Sequence, residues 1–587
     1  MQQTSTLESV LKRDRSVILV GLVIFNRRIS VQLMNKILSF ALVVCFVTST
    51  NIFSAETDHL VTDAPRAQLF EGMGSHTRNI TTHSPDAQKY FNQGLAWMHT
   101  FNHDEAIRSF ARAAQLDTNC AMAWWGISVC EGPNYNAPVM DEDRLAGSWG
   151  ALQEAQARIG NTSPAERALI EALSKRYAKP WPEDRSHLEK AYADAMAKVW
   201  ADYPNDSDIG ALYAEAMMLE RPWKLYSLDR QSTGDTPKIL ATLERVMELD
   251  PGHPGVFHLY VHAVEPSTEP GRALAAADHL RNMMPAAGHM LHMPSHIYIQ
   301  TAQWDKSIVQ NGKAIKSDDT FRTLSPEQTI QNMYMVHNAH MLAFSAMMVG
   351  RESEAMEAAR KMWTIIPPET LDAVAAFVDR WMSSVYDVQK RFGRWDDILA
   401  EPAPPVSMPI TTAQWRAHRA IASAAQKDFV GAEREHEEFR KVKAAMPKDS
   451  PFGRDMAHKV LDVSDYFVAG EIALQKGEWA KAAELLEKAA AIEDTLSYGE
   501  PPQYLQPARH TLGAVYIKAE KFEEAEKVFR KDLKKWPNNG WSLFGLSRSL
   551  EAQGKKAEAR KVKKDYNECW AKADAPTTTS CVCIQNI

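Results

Sequence analysis

The sequence predicts an all-α protein: a solenoid of helix–turn–helix units with one helical insertion. Three observations predict it. Apolar residues recur every three or four places along most of residues 87–573, the spacing of amphipathic helices. Small and bulky residues recur in a fixed order, in units that follow one another at a spacing of 34 residues at three places in the chain. Histidines recur at matching places in three units between Pro254 and Met362.

Composition fits a folded chain with a large core. Of 587 residues, 45% are apolar and 24% charged, and neither Gly nor Pro is enriched. A formal charge of −7 speaks against a dedicated nucleic-acid binder, and there is no arginine-rich patch or zinc-finger spacing. Residues 1–33 read as a non-native or cleaved extension, with translation expected to start at Met34. Residues 34–55 have the layout of a signal peptide: Lys36, an apolar run from Ile37 to Val47, then small polar residues. That run is short for a membrane span, so a cleaved leader is expected, with an uncleaved anchor as the alternative. The expected location is a periplasm or the cell exterior. Beyond the leader, Cys120, Cys130, Cys569, Cys581 and Cys583 make no disulfide framework.

Taken in order, residues 56–86 read as an extended lead-in. Residues 87–135 hold the first unit or units, with helices expected at 87–100 and 104–116. Gly94, Ala106 and Ala113 allow two helices to approach, and Tyr90, Trp97 and Phe110 fill between them. The frame breaks at 136–206, which reads as a helical insertion or as degenerate repeats. Residues 207–369 form the histidine-rich units, broken by a loop at 221–235 that reads as plain surface, or else as a flap over the groove. Residues 370–573 form the C-terminal units, where Gly470, Ala482 and Ala489 repeat the small-residue places. Trp304, Trp395, Trp479 and Phe522 open second helices. In 497–510, Tyr498, Glu500, Arg509 and His510 offer a polar pocket, or else the stretch is a structured linker. Residues 574–587 are expected to be a disordered tail.

The 34-residue pattern resembles the tetratricopeptide repeat. The strings YFNQGLAWMHTFNHDEAIRSFARAA, CAMAWWG, HMPSHIYI and NGWSLFGL are similar to a group of bacterial exported tetratricopeptide proteins without an established activity. The resemblance implies a right-handed superhelix whose first helices line a concave face. It also implies that places 2, 5, 9 and 12 of each unit point into that groove.

Counted from Pro254, His258, His262 and Glu265 take places 5, 9 and 12. Counted from Gly288, His289, His292 and His296 take places 2, 5 and 9; counted from Val336, His337 and His340 take places 2 and 5. Helix geometry agrees, since residues three, four and seven apart share a face. Pro294 points to a helix start near it, which leaves His289 on the turn before. Neighbouring helices pack about 8–10 Å apart, so imidazoles from adjacent units can meet around one ion. The ligand set suits zinc, iron, manganese or copper. Glu215 is a candidate second carboxylate. His253 and His279 fall off the stripe, and His99 and His103 read as capping or packing residues. Nucleotide-binding loops, a GxSxG elbow and an HExxH motif are all absent from the sequence.

Three functions follow as expectations. The first is an exported protein that takes a protein or peptide partner in its groove, with a histidine-bound transition metal there. The second is a metal-dependent enzyme, a hydrolase or oxidoreductase, with Glu265 or Glu215 as base and a small-molecule substrate. The third is a metal-free interaction scaffold. A buried, covered site favours the enzyme and an open groove favours the binder.

Overall fold

One local device recurs at eight of the helical hairpins. The turn between paired helices holds a residue in the left-handed region: Phe101, Ala302, Gly350, Gly393, Lys427, Gly477, Glu520 and Gly554. Glycine meets that demand without a Cβ penalty, and the other positions tolerate it as single residues. The structure is a computed structural model that describes residues 66–325, 331–575 and 579–584, all within one compact unit.

The first pair is α1 (Pro85–His99) and α2 (His103–Leu116). Ser84 caps α1 by accepting from the Ala87 N–H, and Asn102 caps α2 by accepting from Glu105. There follow α3 (Ala121–Glu131), α4 (Glu142–Ala157), α5 (Pro164–Leu173), α6 (Ser186–Asp202), α7 (Ser207–Leu219) and α8 (Thr236–Leu249). The histidine-rich part comprises α9 (Pro254–Val264), α10 (Leu274–Leu280), α11 (Gly288–His292), α12 (Ser295–Tyr298), α13 (Trp304–Leu324) and α14 (Gln331–Met348). Each helix packs chiefly on its chain neighbours, so the stack continues through 136–206 without a separate domain.

The C-terminal part begins with α15 (Glu352–Ile365), α16 (Pro368–Met382), α17 (Ser384–Arg391), α18 (Trp395–Ala400), α19 (Pro409–Ala425) and α20 (Phe429–Ala445). A short antiparallel hairpin, β1 (Pro451–Phe452) and β2 (Asp455–Met456), is the one sheet among the described residues. Then come α21 (Ala457–Gln475), α22 (Trp479–Glu493), α23 (Ala508–Lys518), α24 (Phe522–Lys535), α25 (Gly540–Ala552) and α26 (Lys556–Cys569). This is the all-α solenoid of helix–turn–helix units that the sequence predicts.

Small residues let the helices close. A Cβ on Gly94 would stand 2.6 Å from the Phe110 ring, and one on Gly126 would stand 2.7 Å from its other face. Phe110 is therefore wedged between α1 and α3 with no exposed surface. Phe529 sits in the same way between Gly513 and Gly545.

The solenoid also closes on itself. The indole N–H of Trp541 donates to the Met347 carbonyl at 2.7 Å, and that of Trp304 donates to Pro537 at 2.9 Å. Both tryptophans belong to a core shared by residues 299–349 and the C-terminal units. The inner face is thus covered by the chain itself. The tail differs from the disordered end expected at 574–587: Cys581 and Ile584 are buried against the C-terminal core, and Cys581 is bonded to Cys583. The leader features at 1–55 lie outside the described residues. No described helix is long and apolar enough to cross a membrane.

Candidate metal centre

Three helical stretches bring the histidines inward. α9 carries His258 and His262 one turn apart, and Glu265 follows at its end. Every residue of α9 is buried, so its imidazoles face protein on all sides. In the next unit, Pro294 does not start the helix. The chain is already helical over 288–292 and resumes at Ser295, so Pro294 acts as a break. His289 accordingly lies within α11 rather than on a turn. His337 and His340 come from α14.

Six imidazoles form two adjacent triads. The ligand atoms of His258, His262 and His289 lie within 4.8 Å of one another, and so do those of His292, His296 and His337. Rings from the two triads approach at 5.6 Å (His262–His296) and 5.8 Å (His289–His292). Phe101, the left-handed turn residue of the first hairpin, packs on His258 at 4.4 Å and walls off one side.

The hydrogen bonds fix four of the six tautomers. His258 Nδ1–H donates to the His99 carbonyl at 2.7 Å. His262 Nδ1–H donates to Glu265 Oε1 at 2.7 Å, and His296 Nδ1–H donates to Glu265 Oε2 at 2.5 Å. Asn311 donates its amide N–H to the Ser307 carbonyl, so its Oδ1 is the acceptor for His292 Nδ1–H at 2.7 Å. All four rings therefore carry the proton on Nδ1 and present the Nε2 lone pair. The Nε2 atoms of His258 and His262 are buried without a hydrogen-bond partner, as are both ring nitrogens of His289. A carboxylate, carbonyl or amide behind each ring is the arrangement that orients metal-ligating histidines.

Burial keeps these rings neutral. It pushes His262 and His296 down to about 4 and His258 to about 3, and His289, His292 and His337 fall well below the usual histidine range. Neighbouring imidazoles add to the effect on His289 and His292. Lone pairs are thus available at neutral pH, and the charge of a cation would be the favourable partner.

The triads border a cavity of about 370 Å³, lined by His262, His289, His296 and His337 on one side and by Arg380, Trp381 and Glu500 on the other. The β1–β2 turn supplies Arg454, which bonds the Tyr498 carbonyl and Glu500 and lies over the Trp223 ring at 4.2 Å. Asp455 holds the covering loop by accepting from the Ser497 N–H and from Gln503. Tyr498 then reaches back to donate its hydroxyl to Glu265 Oε2 at 2.8 Å.

No protein-family model matches the chain, and no curated protein matches it by sequence. Solved structures with a similar course include human IFIT1 as a dimer with m7Gppp-AAAA, at 13% identity and a TM-score of 0.32, covering 87% of this chain and 93% of that one. The hetero-tetramer Cut9–Hcn1 of the APC/C matches at 13% identity and a TM-score of 0.29, covering 83% and 74%. Yeast Tom70 matches at 12% identity and a TM-score of 0.24, covering 82% and 93%. No function is read from likeness at this level.

Several sequence expectations need correction. His340 and Glu215 belong to neither triad. His340 packs against Trp381 at 6.1 Å on the far wall of the cavity. Burial pushes Glu215 up to about 7, against the opposing charge of Arg176. Glu265 groups with His262 and His296, their ligand atoms within 4.8 Å of one another, and its two oxygens accept from those histidines and from Tyr498. The loop at 221–235 is no plain surface loop, since Trp223 lines the cavity and meets the His262 ring edge-on at 5.3 Å. Tyr498 and Glu500 do line one region, but Arg509 pairs with Asp494 and His510 with Asp532 elsewhere. Sequence reasoning passed over Asn311 and Phe101. Neither carries a motif, and only their contacts reveal a role.

Proposed function

We propose that this chain binds two transition-metal ions, one in each histidine triad, and that the adjoining cavity brings a small organic molecule to them. The observation that carries this reading is the shared tautomer: His258, His262, His292 and His296 all donate from Nδ1 and turn Nε2 inward. Six neutral imidazoles suit zinc, copper or iron better than manganese, which takes carboxylate and water oxygens. Three protein ligands per ion leave a coordination position for water or substrate, as catalytic sites do. Such an ion supplies Lewis acidity, a lowered water pKa or redox chemistry.

The chain's own residues give the remaining parts. Glu265 ties one histidine of each triad into a single unit. Arg380 and Arg454 give the cavity cationic walls for an anionic or strongly polar substrate group. The covering loop 497–503 and Trp223 exclude bulk water. A covered cavity of this size favours metal-dependent small-molecule chemistry over capture of a peptide in an open groove. Export rests on the leader-like residues 34–55 alone and remains part of the proposal.

The test is elemental analysis of the full chain purified without an affinity tag. The His262→Ala, His292→Ala double variant is expected to lose two ions per chain. If wild type holds no metal at these histidines and takes up no zinc, copper or iron on titration, the reading fails in favour of a scaffold.

A further inference from the structure

A second cluster lies one helix end away from the triads. His76 in the lead-in, His99 at the end of α1, Asp208 at the start of α7 and His253 before α9 converge, with ligand atoms within 4.8 Å of one another. His253 has no exposed surface, and His99 and Asp208 are nearly as buried. These residues lie far apart in sequence, on four separate segments.

The distances decide what the cluster is built for. His76, His253 and His99 place Nε2 at 2.9, 3.3 and 3.6 Å from the same oxygen, Asp208 Oδ1. Around a tetrahedral ion with bonds near 2.1 Å, neighbouring ligand atoms stand about 3.4 Å apart. At 3.3 Å, His253 Nε2 is within hydrogen-bonding range of Asp208, yet it makes no hydrogen bond, and neither does His99 Nε2. Of the three, His76 alone completes a hydrogen bond to that oxygen, so one acceptor faces three imidazoles and leaves two buried Nε2 atoms unsatisfied.

The surroundings are those of held ligands. Arg78 donates to Asp208 Oδ2 at 3.1 Å, which leaves Oδ1 facing the histidines. Asp250 Oδ2 stands 3.5 Å from His76 Nδ1 and accepts from the Ser207 hydroxyl, a carboxylate behind an imidazole. His253 caps α9 by accepting the Val256 N–H at Nδ1, a long 3.3 Å bond. A ring that accepts at Nδ1 carries its proton on Nε2. The ion takes the Nε2 lone pair once that proton moves to Nδ1, at the cost of a cap bond that is already weak.

We propose that His76, His99, His253 and Asp208 form a third, closed metal site for a divalent ion of zinc type. With four protein ligands it keeps no open position, so its role is structural. It clamps the lead-in to three helix ends. It also fixes the His99 carbonyl that orients His258, and so supports the triads without belonging to them.

The test loads the metal-free full chain with Co(II) and with Zn(II), and counts bound ions. The expected result is a tetrahedral Co(II) absorption spectrum that survives in the His262→Ala, His292→Ala variant. Introduced into that variant, His76→Ala and, as a shape-preserving second change, Asp208→Asn are each expected to abolish the spectrum and to lose one ion per chain. Chelation is expected to speed proteolytic cleavage of the lead-in in wild type and in the His262→Ala, His292→Ala variant, and to leave it unchanged in His76→Ala and Asp208→Asn. An unchanged ion count in both His76→Ala and Asp208→Asn overturns the proposal. So does absence of the spectrum from the double variant, which would leave a protonated imidazole–carboxylate cluster without metal. The triad reading stands or falls separately, on the ions lost from the double variant.

Discussion

His292 Nε2 and His296 Nε2 face each other at 2.7 Å inside the protein, and both rings have already given their protons to acceptors on the far side. Two lone pairs at that distance repel unless a cation lies between or beside them. Burial makes protonation costly for both rings. A metal ion relieves the repulsion without desolvating a new imidazolium.

Metal removal is therefore expected to destabilise the fold. An ion held at a hundred times its Kd contributes about 2.7 kcal/mol of stability. Thermal unfolding of the chelated protein should come several degrees below that of the loaded protein, with recovery on re-addition of metal. Equal midpoints would show that the histidines are satisfied without an ion.

Asn311 tests the tautomer argument. Its Oδ1 receives His292 Nδ1–H, and its amide is tied to Ser295 and to the Ser307 carbonyl. Asn311→Leu keeps the volume and removes the acceptor. Loss of a partner behind a ligating histidine typically weakens metal affinity by about 10–100-fold. Competition with a metallochromic chelator measures it, and unchanged affinity would place His292 outside the ligand set.

Tyr498 tests the cover. Its hydroxyl donates to Glu265 and accepts from Gln300 at 3.1 Å, joining the 497–503 loop to the triads. Tyr498→Phe removes both bonds, about 1 kcal/mol each at most, while the apolar ring remains. Metal content should be unchanged, and amide exchange at Gly499 should quicken. If exchange there is the same as in wild type, Arg454 and Asp455 hold the loop without the Tyr498 hydroxyl.

Acid stability has a local handle at Asp465. Burial alone would raise its pKa, but the His436 hydrogen bond at 2.7 Å and the Arg440 charge outweigh burial and hold it at about 2. A depressed carboxylate stabilises the fold above its unfolded pKa, about 4, and that contribution fades as pH falls toward 2. Asp465→Asn should lose stability at pH 6 and differ less from wild type near pH 2. A constant difference across that range would mean that the effect is not electrostatic.

The periodic parts of this architecture are legible in the sequence. Spacing of small and bulky residues places the hairpins, because helix contact is a local, repeated requirement, and the eight groove-facing places picked out six of the histidines that meet. Long-range returns were not legible. Nothing in the string around Tyr498 says that it crosses 233 residues to reach Glu265. His253 falls off the histidine stripe, yet its position before α9 is what brings it to Asp208. Glu215 stands outside the histidine groups, because helical register gives the face of a helix but not which neighbour that face meets.

The wedge at Phe110 gives the sharpest test of the repeat rule itself. Its ring fills the space that Cβ atoms on Gly94 and Gly126 would need. Phe110→Ala should cost about 3–5 kcal/mol by opening a cavity. Gly94→Ala should cost about 1–3 kcal/mol by overpacking, since its new methyl meets the ring at 2.6 Å. In the double variant the methyl enters the space the ring has left, so the two losses should fall short of additivity. Denaturant unfolding of the four proteins measures the coupling. Strict additivity would mean that α1 and α2 separate in the single variant, and that the glycine is kept for something other than close approach.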